Sequence, residues 1–300
     1  MKIRFCVLLS LLALACFNPQ IQTHAQKAET RIRVAVVNLG NLASGRLTAE
    51  KIAASLKLEA GLALVDLDQA KAAAIGAGYT GSLNLSLAEA RDLGAALGCD
   101  FFVVGDAQTL RRSPSSGQVY FESYASLFLV SARSGRLVQW QRPNFRAGQP
   151  EAAEQALFSQ LASAETRHKM AVAVRDAHET ERGERQLTID RQTPIIEAAP
   201  DDEKKAEAVG LRLPRPFRRL IPAYPQSAAD AEAEATVDVL ADIDDKGEVV
   251  RVEVARWGGF GLDESTVETV QRLHFVPAMR DGVAIPLKVL LRYNFRKPPK

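Results

Sequence analysis

Apolar residues recur with a period of two near the start and the end of this chain, and with helical spacing in the stretches between. Residues 31–39 alternate and are rich in Val, which predicts a first strand. Leu47, Ile52, Leu56 and Ala60 fall near one helix face, so residues 47–60 are expected as a helix. A short apolar run at 61–66 reads as a buried strand, and the Ala-rich residues 68–75 as a second helix. Ser86 with Glu89 three positions on forms a capping box, so a third helix is expected from there to Gly94 or Leu97. Residues 99–105 read as a buried strand, and 119–130 and 136–140 as strands around a Ser134-Gly135 turn. Residues 151–181 read as helical. Strands alternating with helices predict an α/β domain over residues 30–181.

The pattern changes towards the carboxyl end. Val237, Val239, Ala241 and Ile243 share one strand face, while Asp238 and Asp242 share the other. Residues 244–247 are a turn in which Gly247 can take positive φ. Val250, Val252 and Val254 form the inward set of the next strand, so Val252→Lys is expected to disrupt the core. After the glycines at 258, 259 and 261, Asp263 is expected as an N-cap, with Leu262 stapled to Val267. Val267, Val270 and Leu273 give the helix one apolar stripe, and Leu287, Val289, Leu291, Tyr293 and Phe295 alternate on a last strand. This predicts a small α+β domain over 214–298, an antiparallel sheet with one packed helix. Between the two domains, residues 182–213 are polar, carry Pro194 and Pro200, and are expected as a flexible linker.

Several motifs stand in order along the last segment. They are Tyr224-Pro225, Thr236-Val237, Asp245-Lys246-Gly247-Glu248-Val249, Gly261-Leu262-Asp263, Phe275-Val276-Pro277-Ala278, and Gly282 followed by Pro286. Together they resemble the C-terminal domain of TonB energy transducers, with Ala235 where that family has Gly. The resemblance implies capture of an extended peptide by strand addition, the peptide coming from an outer-membrane transporter or another envelope protein, and a place in TonB-dependent transport. The edge this implies runs through Leu287, Lys288, Val289, Leu290, Leu291, Arg292, Tyr293, Asn294 and Phe295; Lys288, Arg292 and Asn294 alternate with the buried set. A transducer of that family has an N-terminal membrane helix and a Pro-rich spacer. Neither is legible here, so force transmission from an inner membrane is not expected, an uncleaved amino terminus serving as a membrane anchor being the one alternative. Leu93-Gly94, Leu97-Gly98, Asp100 and Val103-Val104-Gly105, followed by the hairpin at 127–138, resemble the N-terminal TolB-like and CsgG-like envelope domains, with Cys99 and Ser134 departing from the usual Ala and Thr. That likeness implies the alternative: an envelope structural or assembly factor acting through its first domain.

The amino terminus fits an export signal of residues 1–25, with Lys2 and Arg4, an apolar stretch too short to span a bilayer, and Thr23-His24-Ala25 at cleavage spacing. Leu14-Ala15-Cys16 leaves lipidation of Cys16 as a second route, which would anchor the protein. Either route places the chain in the periplasm or cell envelope. The formal net charge is +2, and removing Lys2 and Arg4 balances the signs. A neutral mature chain gives no footprint for nucleic acid. Cleavage after Ala25 leaves Cys99 as the sole mature thiol, so no internal disulfide is expected.

Other chemistry is weak. Gly76, Gly78 and Gly81 fit a dinucleotide fingerprint, but they follow a helical stretch and read as a loop. Asp242, Asp244 and Glu253 nearly fit a calcium loop, yet the flanks alternate as strands. His24, His168, His178 and His274 lack ligand spacing, and Cys99 lacks a base. Arg212, Arg215, Arg218 and Arg219 form a basic cluster read as solvated charge, with anionic lipid or cell-wall polymer as the other reading. No catalytic residues, metal or cofactor are expected, and the chain reads as a binding protein.

Overall fold

The computed structural model describes residues 31–190, 196–200 and 202–297. The expected signal, with Cys16, lies outside them. β1 (Ile32–Val36) sits inside the first sheet, and Val34, Ala35 and Val36 are buried, as a parallel strand covered on two faces requires. It pairs in parallel with β2 (Leu62–Leu64) and β3 (Phe101–Arg112). β3 and β4 (Tyr120–Ser131) form a long antiparallel hairpin without a slip in register. β5 (Leu137–Gln141) and β6 (Asn144–Ala147) both pair with β4. The sheet order is β2-β1-β3-β4-β5, with β6 also on β4.

The helices of this part are α1 (Ala43–Leu56), α2 (Leu67–Gly76), α3 (Leu87–Leu97), α4 (Pro150–Leu161) and α5 (Ala164–Asp190). α1, α4 and α5 cover one face through Ile52, Leu56, Leu157, Leu161 and Val174. α2 and α3 lie on the other face. The capping box of α3 is formed: Glu89 N–H donates to Ser86 Oγ at 3.2 Å, and Ser86 N–H to Glu89 Oε2 at 2.7 Å. α1 starts four residues before the expected position, because Leu42 at its N-cap makes no side-chain cap bond and so gives no start signal. The expected helix over 151–181 is two helices. Ser163 Oγ accepts from Thr166 N–H at 3.2 Å and starts α5 afresh.

The carboxyl part comprises α6 (Glu203–Ala208), β7 (Leu211–Arg212), β8 (Arg215–Pro216), α7 (Gln226–Ala231), β9 (Ala235–Ile243), β10 (Val249–Arg256), α8 (Leu262–Gln271), β11 (Phe275–Val276), β12 (Ala278–Arg280), β13 (Val283–Ile285) and β14 (Leu287–Phe295). β9 is the middle strand of an antiparallel sheet ordered β10-β9-β14, and Val237, Val239, Ala241 and Ile243 are buried on the face under α8. Two expectations are corrected. The register of β10 shifts between Val249 and Arg251, so Val249 packs on the core while Val250 is 59 % exposed; a bulge breaks the period of two. Asp263 is not the N-cap of α8. Gly261 holds that position with φ 81°, and the Asp263 carboxylate turns back to accept the N–H groups of Gly258 and Gly259.

The two parts share a core. Phe128 of β4 stacks on Trp257 with ring centroids 5.6 Å apart, and meets Phe260 edge-on at 5.2 Å. Trp257 Nε1 donates to Gly135 O at 3.1 Å. Asn84 donates to Thr236 O and Trp257 O and accepts from Thr236 N–H, which clamps the module to the loop before α3. Arg31 to Lys300 accordingly form one compact unit.

Residues 182–213, expected as a flexible linker, are folded where they are described. α5 continues through Glu181 and Glu184, which bind Ser131, Arg133 and Arg136. β7 pairs with β12, and Ala206 and Leu211 are buried against Ala278 and Leu287. Polar composition hid this because the anchors are ion pairs and a few small apolar residues, without a sustained period.

Candidate functional site

The outer rim of β14 is where an unfilled row of backbone groups meets an open cavity. β14 pairs with β9 from Leu287 opposite Ile243 to Phe295 opposite Ala235, with no shift in register. In an antiparallel ladder successive residues turn their N–H and C=O alternately towards and away from the partner. Lys288 turns its groups away from β9, because its N–H donates to Glu197 O at 2.9 Å and its C=O accepts from Ala199 N–H at 2.7 Å. Leu290, Arg292 and Asn294 have the same parity, so their backbone groups face the same outer side. Among the described residues no strand pairs with that stretch.

Side chains alternate as the sequence implied. Leu287 and Phe295 are buried, Val289, Leu291 and Tyr293 are half-buried against the core, and Leu290, Arg292 and Asn294 are exposed. The charges of this strand are directed inward. Arg292 grips Asp238 with Nε–Oδ1 2.7 Å and Nη2–Oδ2 2.9 Å, and Lys288 Nζ lies 3.5 Å from Asp242 Oδ1. These pairs stand directly opposite in register, so they fix β14 to β9.

A cavity of about 440 Å³ runs beside this half of the strand, between residues 216–221 and Leu291, Arg292 and Tyr293. Leu273 and Phe275 form its floor and Arg218 and Arg219 its rim. Ile221, 90 % exposed, is part of its lining, and two further exposed apolar residues, Phe217 at 72 % and Leu290 at 55 %, are chain neighbours of lining residues. Sequence reasoning passed over Phe217, Leu220 and Ile221 and read the neighbouring arginines as solvated charge. The available signal was their interleaving with Arg between Pro214 and Pro222.

The nine-residue edge is not wholly open. Its first outward residue, Lys288, is taken by Glu197 and Ala199, in a parallel bridge centred on Ala198. Leu287, Val289, Leu291, Tyr293 and Phe295 turn their backbone towards β9, leaving Leu290, Arg292 and Asn294 as the open part.

The motif residues serve the scaffold. Tyr224 Oη donates to Ala233 O at 2.7 Å, and its ring lies 6.4 Å from that of Phe295. Pro225 packs under Gly261, and Leu262 is fully buried. Gly247 (φ 86°) meets the backbone of Phe275 so closely that a Cβ would stand 1.8 Å from Phe275 O, with Pro277 alongside. These residues fix the path of the chain, and Phe275 alone among them also lines the cavity beside β14.

A second cavity, of about 560 Å³, lies between the outer strands β5 and β10, with Trp140, Val252 and Asp263 on its walls. Burial pushes the Asp263 carboxyl up to about 6, against the two N–H bonds of 2.7 and 2.8 Å that favour its charged form. The other candidate residues are structural. Burial pushes the Cys99 thiol up to about 12, which suppresses its nucleophilicity. Gly76, Gly78 and Gly81 lie at the end of α2 and in the loop after it. Asp244 Oδ1 accepts from Lys246 and Glu248 N–H and closes the β9–β10 turn. His274 pairs with Glu248, Nδ1–Oε2 2.9 Å. Among the described residues no group of three His, Cys, Asp or Glu is placed to hold a metal ion. No helix among them is long and apolar enough to cross a membrane.

Residues 221–296 match the family described as Gram-negative bacterial TonB protein C-terminal. Among curated proteins none matches the chain. Similar solved structures include a hypothetical protein of Chlamydia trachomatis, 13 % identical over 46 % of this chain and 96 % of that one, with TM-score 0.33. The TonB C-terminal domain of Pseudomonas aeruginosa is 20 % identical over 29 % of this chain and 89 % of its own, with TM-score 0.26. A lipoprotein of Neisseria meningitidis is 15 % identical over 50 % and 99 %, with TM-score 0.30.

Proposed function

Since residues 221–296 are a TonB C-terminal domain, we propose that this protein is a non-enzymatic binding protein of the cell envelope that captures extended peptides of outer-membrane transporters or other envelope proteins. The peptide adds as a strand to β14, and Leu290, Arg292 and Asn294 supply the main-chain hydrogen bonds. The observation that carries this reading is their outward row of backbone groups beside a cavity rimmed by Arg218 and Arg219 and lined by Leu220, Ile221 and Leu291. Apolar side chains of the peptide would enter the cavity, and its carboxylates would meet the two arginines. Export by residues 1–25, or anchoring through Cys16, would deliver the protein to this place.

The test is an NMR titration of the full mature chain with N-terminal peptides of TonB-dependent transporters. Amide shifts concentrated at Leu290, Arg292 and Asn294 are expected, and their absence removes the function. Leu290→Pro deletes one outward N–H and no bond to β9, so it is expected to weaken binding at least tenfold while the fold survives.

The shared core around Phe128 and Trp257 favours a second reading, an envelope assembly factor in which the module is a fixed part of the α/β body. In that case Leu290→Pro leaves the cellular phenotype intact, and Phe128→Ala abolishes it.

A further inference from the structure

We propose that residues 197–199 are a built-in occupant of the β14 peptide lane, and that the external peptide which displaces them runs parallel to β14 and copies their chemistry. This rests on the reading of β14 as the peptide edge and adds its regulation and its specificity. The carrying observation is the pairing itself. Glu197 O and Ala199 N–H take both outward groups of Lys288, in a parallel bridge.

The lane has defined ends. Pro286 has no N–H, so Lys288 is the first donor that β14 can offer outward. Beyond Ala199 residue 200 is a proline, and among the described residues no strand pairs with Leu290, Arg292 and Asn294, which continue the same lane.

The occupant also shows which side chains the lane accepts. In an extended segment Glu197 and Ala199 face one side and Ala198 the other. The Glu197 carboxylate reaches Arg280, Oε1–Nη2 2.9 Å, and Arg280 holds it below the usual carboxylate range. Ala199 packs with Leu287 and Val289 on the small third core, while Ala198 is exposed. The lane therefore favours a carboxylate, any residue, then a small apolar residue, read parallel to β14. Among the described residues, two backbone bonds, one exposed ion pair and one methyl hold the occupant. A longer peptide that also fills Leu290 to Asn294 makes more bonds and displaces it.

The test uses the full mature chain, and hydrogen exchange at the Lys288 amide reports the occupant directly. Ala199→Pro removes the donor to Lys288 O; Glu197→Arg, on an exposed residue, breaks the pair with Arg280 and guards against misfolding by the first. Both are expected to speed Lys288 exchange at least tenfold and to tighten binding of an added peptide with the sequence of residues 194–202 at least tenfold. A spin label on that peptide's amino end should broaden Leu287 more than Phe295. Unchanged Lys288 exchange in both variants overturns the proposal, as does equal peptide affinity in variants and wild type, or broadening at the Phe295 end. If transporter peptides bind nowhere while the 194–202 peptide binds the released lane, the proposed function fails and the built-in occupant stands.

Discussion

Gly247 and Asp263 show how much of this fold depends on single groups. A Cβ at 247 would stand 1.8 Å from Phe275 O at a φ of 86°, so Gly247→Ala is expected to cost more than about 2 kcal/mol. Calorimetry should record a drop in Tm of about 5 °C or more. Asp263 gives a pH signature. Its folded-state value of about 6 lies above the unfolded 3.8, so the folded protein holds the extra proton between those values. Its contribution to stability is therefore largest below about pH 4 and falls as pH rises to 6. The loss amounts to about 3 kcal/mol. Asp263→Asn removes that slope and leaves one of the two N–H groups of Gly258 and Gly259 without an acceptor. Its deficit against wild type should shrink as pH rises from 4 to 7, and a constant deficit would refute the assignment. The turn role of Gly247 was legible in the Asp-Lys-Gly run. The inward turn of Asp263 was not, because a carboxylate two residues past a glycine cluster can serve the helix or the loop, and only the path of residues 258–261 decides between them.

At the scale of elements, β14 was legible to the residue because its apolar and polar positions alternate without interruption. Which of its residues offer backbone groups outward follows from the ladder, and proline tests it. Val289→Pro should remove a bond to β9 and cost about 3 kcal/mol or more, whereas Leu290→Pro should cost about 1 kcal/mol. Equal losses in chemical denaturation would place the open side wrongly. β10 was legible as a strand but not in register. The shift after Val249 puts that residue on the core and leaves Val250 in solvent, and a valine-rich run carries no mark of a bulge. Val249→Lys should destabilise by about 2 kcal/mol or more, and Val250→Lys by less than about 0.5 kcal/mol. The opposite order would restore strict alternation.

At the scale of the whole molecule, the aromatic contact of Phe128 with Trp257 and Phe260 makes one cooperative body of the two parts. Phe128→Ala is expected to cost about 3–5 kcal/mol and to lower the single unfolding transition of the whole chain. Two separate transitions in the wild type would contradict a shared core. The sequence by itself determined β1 to β5, α1 to α3, β9, β10, α8 and β14, because periods of two and 3.6 and the turn glycines act over a few residues. The tertiary structure alone decided that residues 197–199 lie on β14, that Leu220 and Ile221 line a cavity, and that the carboxyl module docks on the first sheet. Each of these joins residues far apart in the chain through a few small contacts, such as the 2.7 Å bond from Ala199 to Lys288. Contacts of that kind leave no period in the sequence, and only the folded backbone brings their partners within reach.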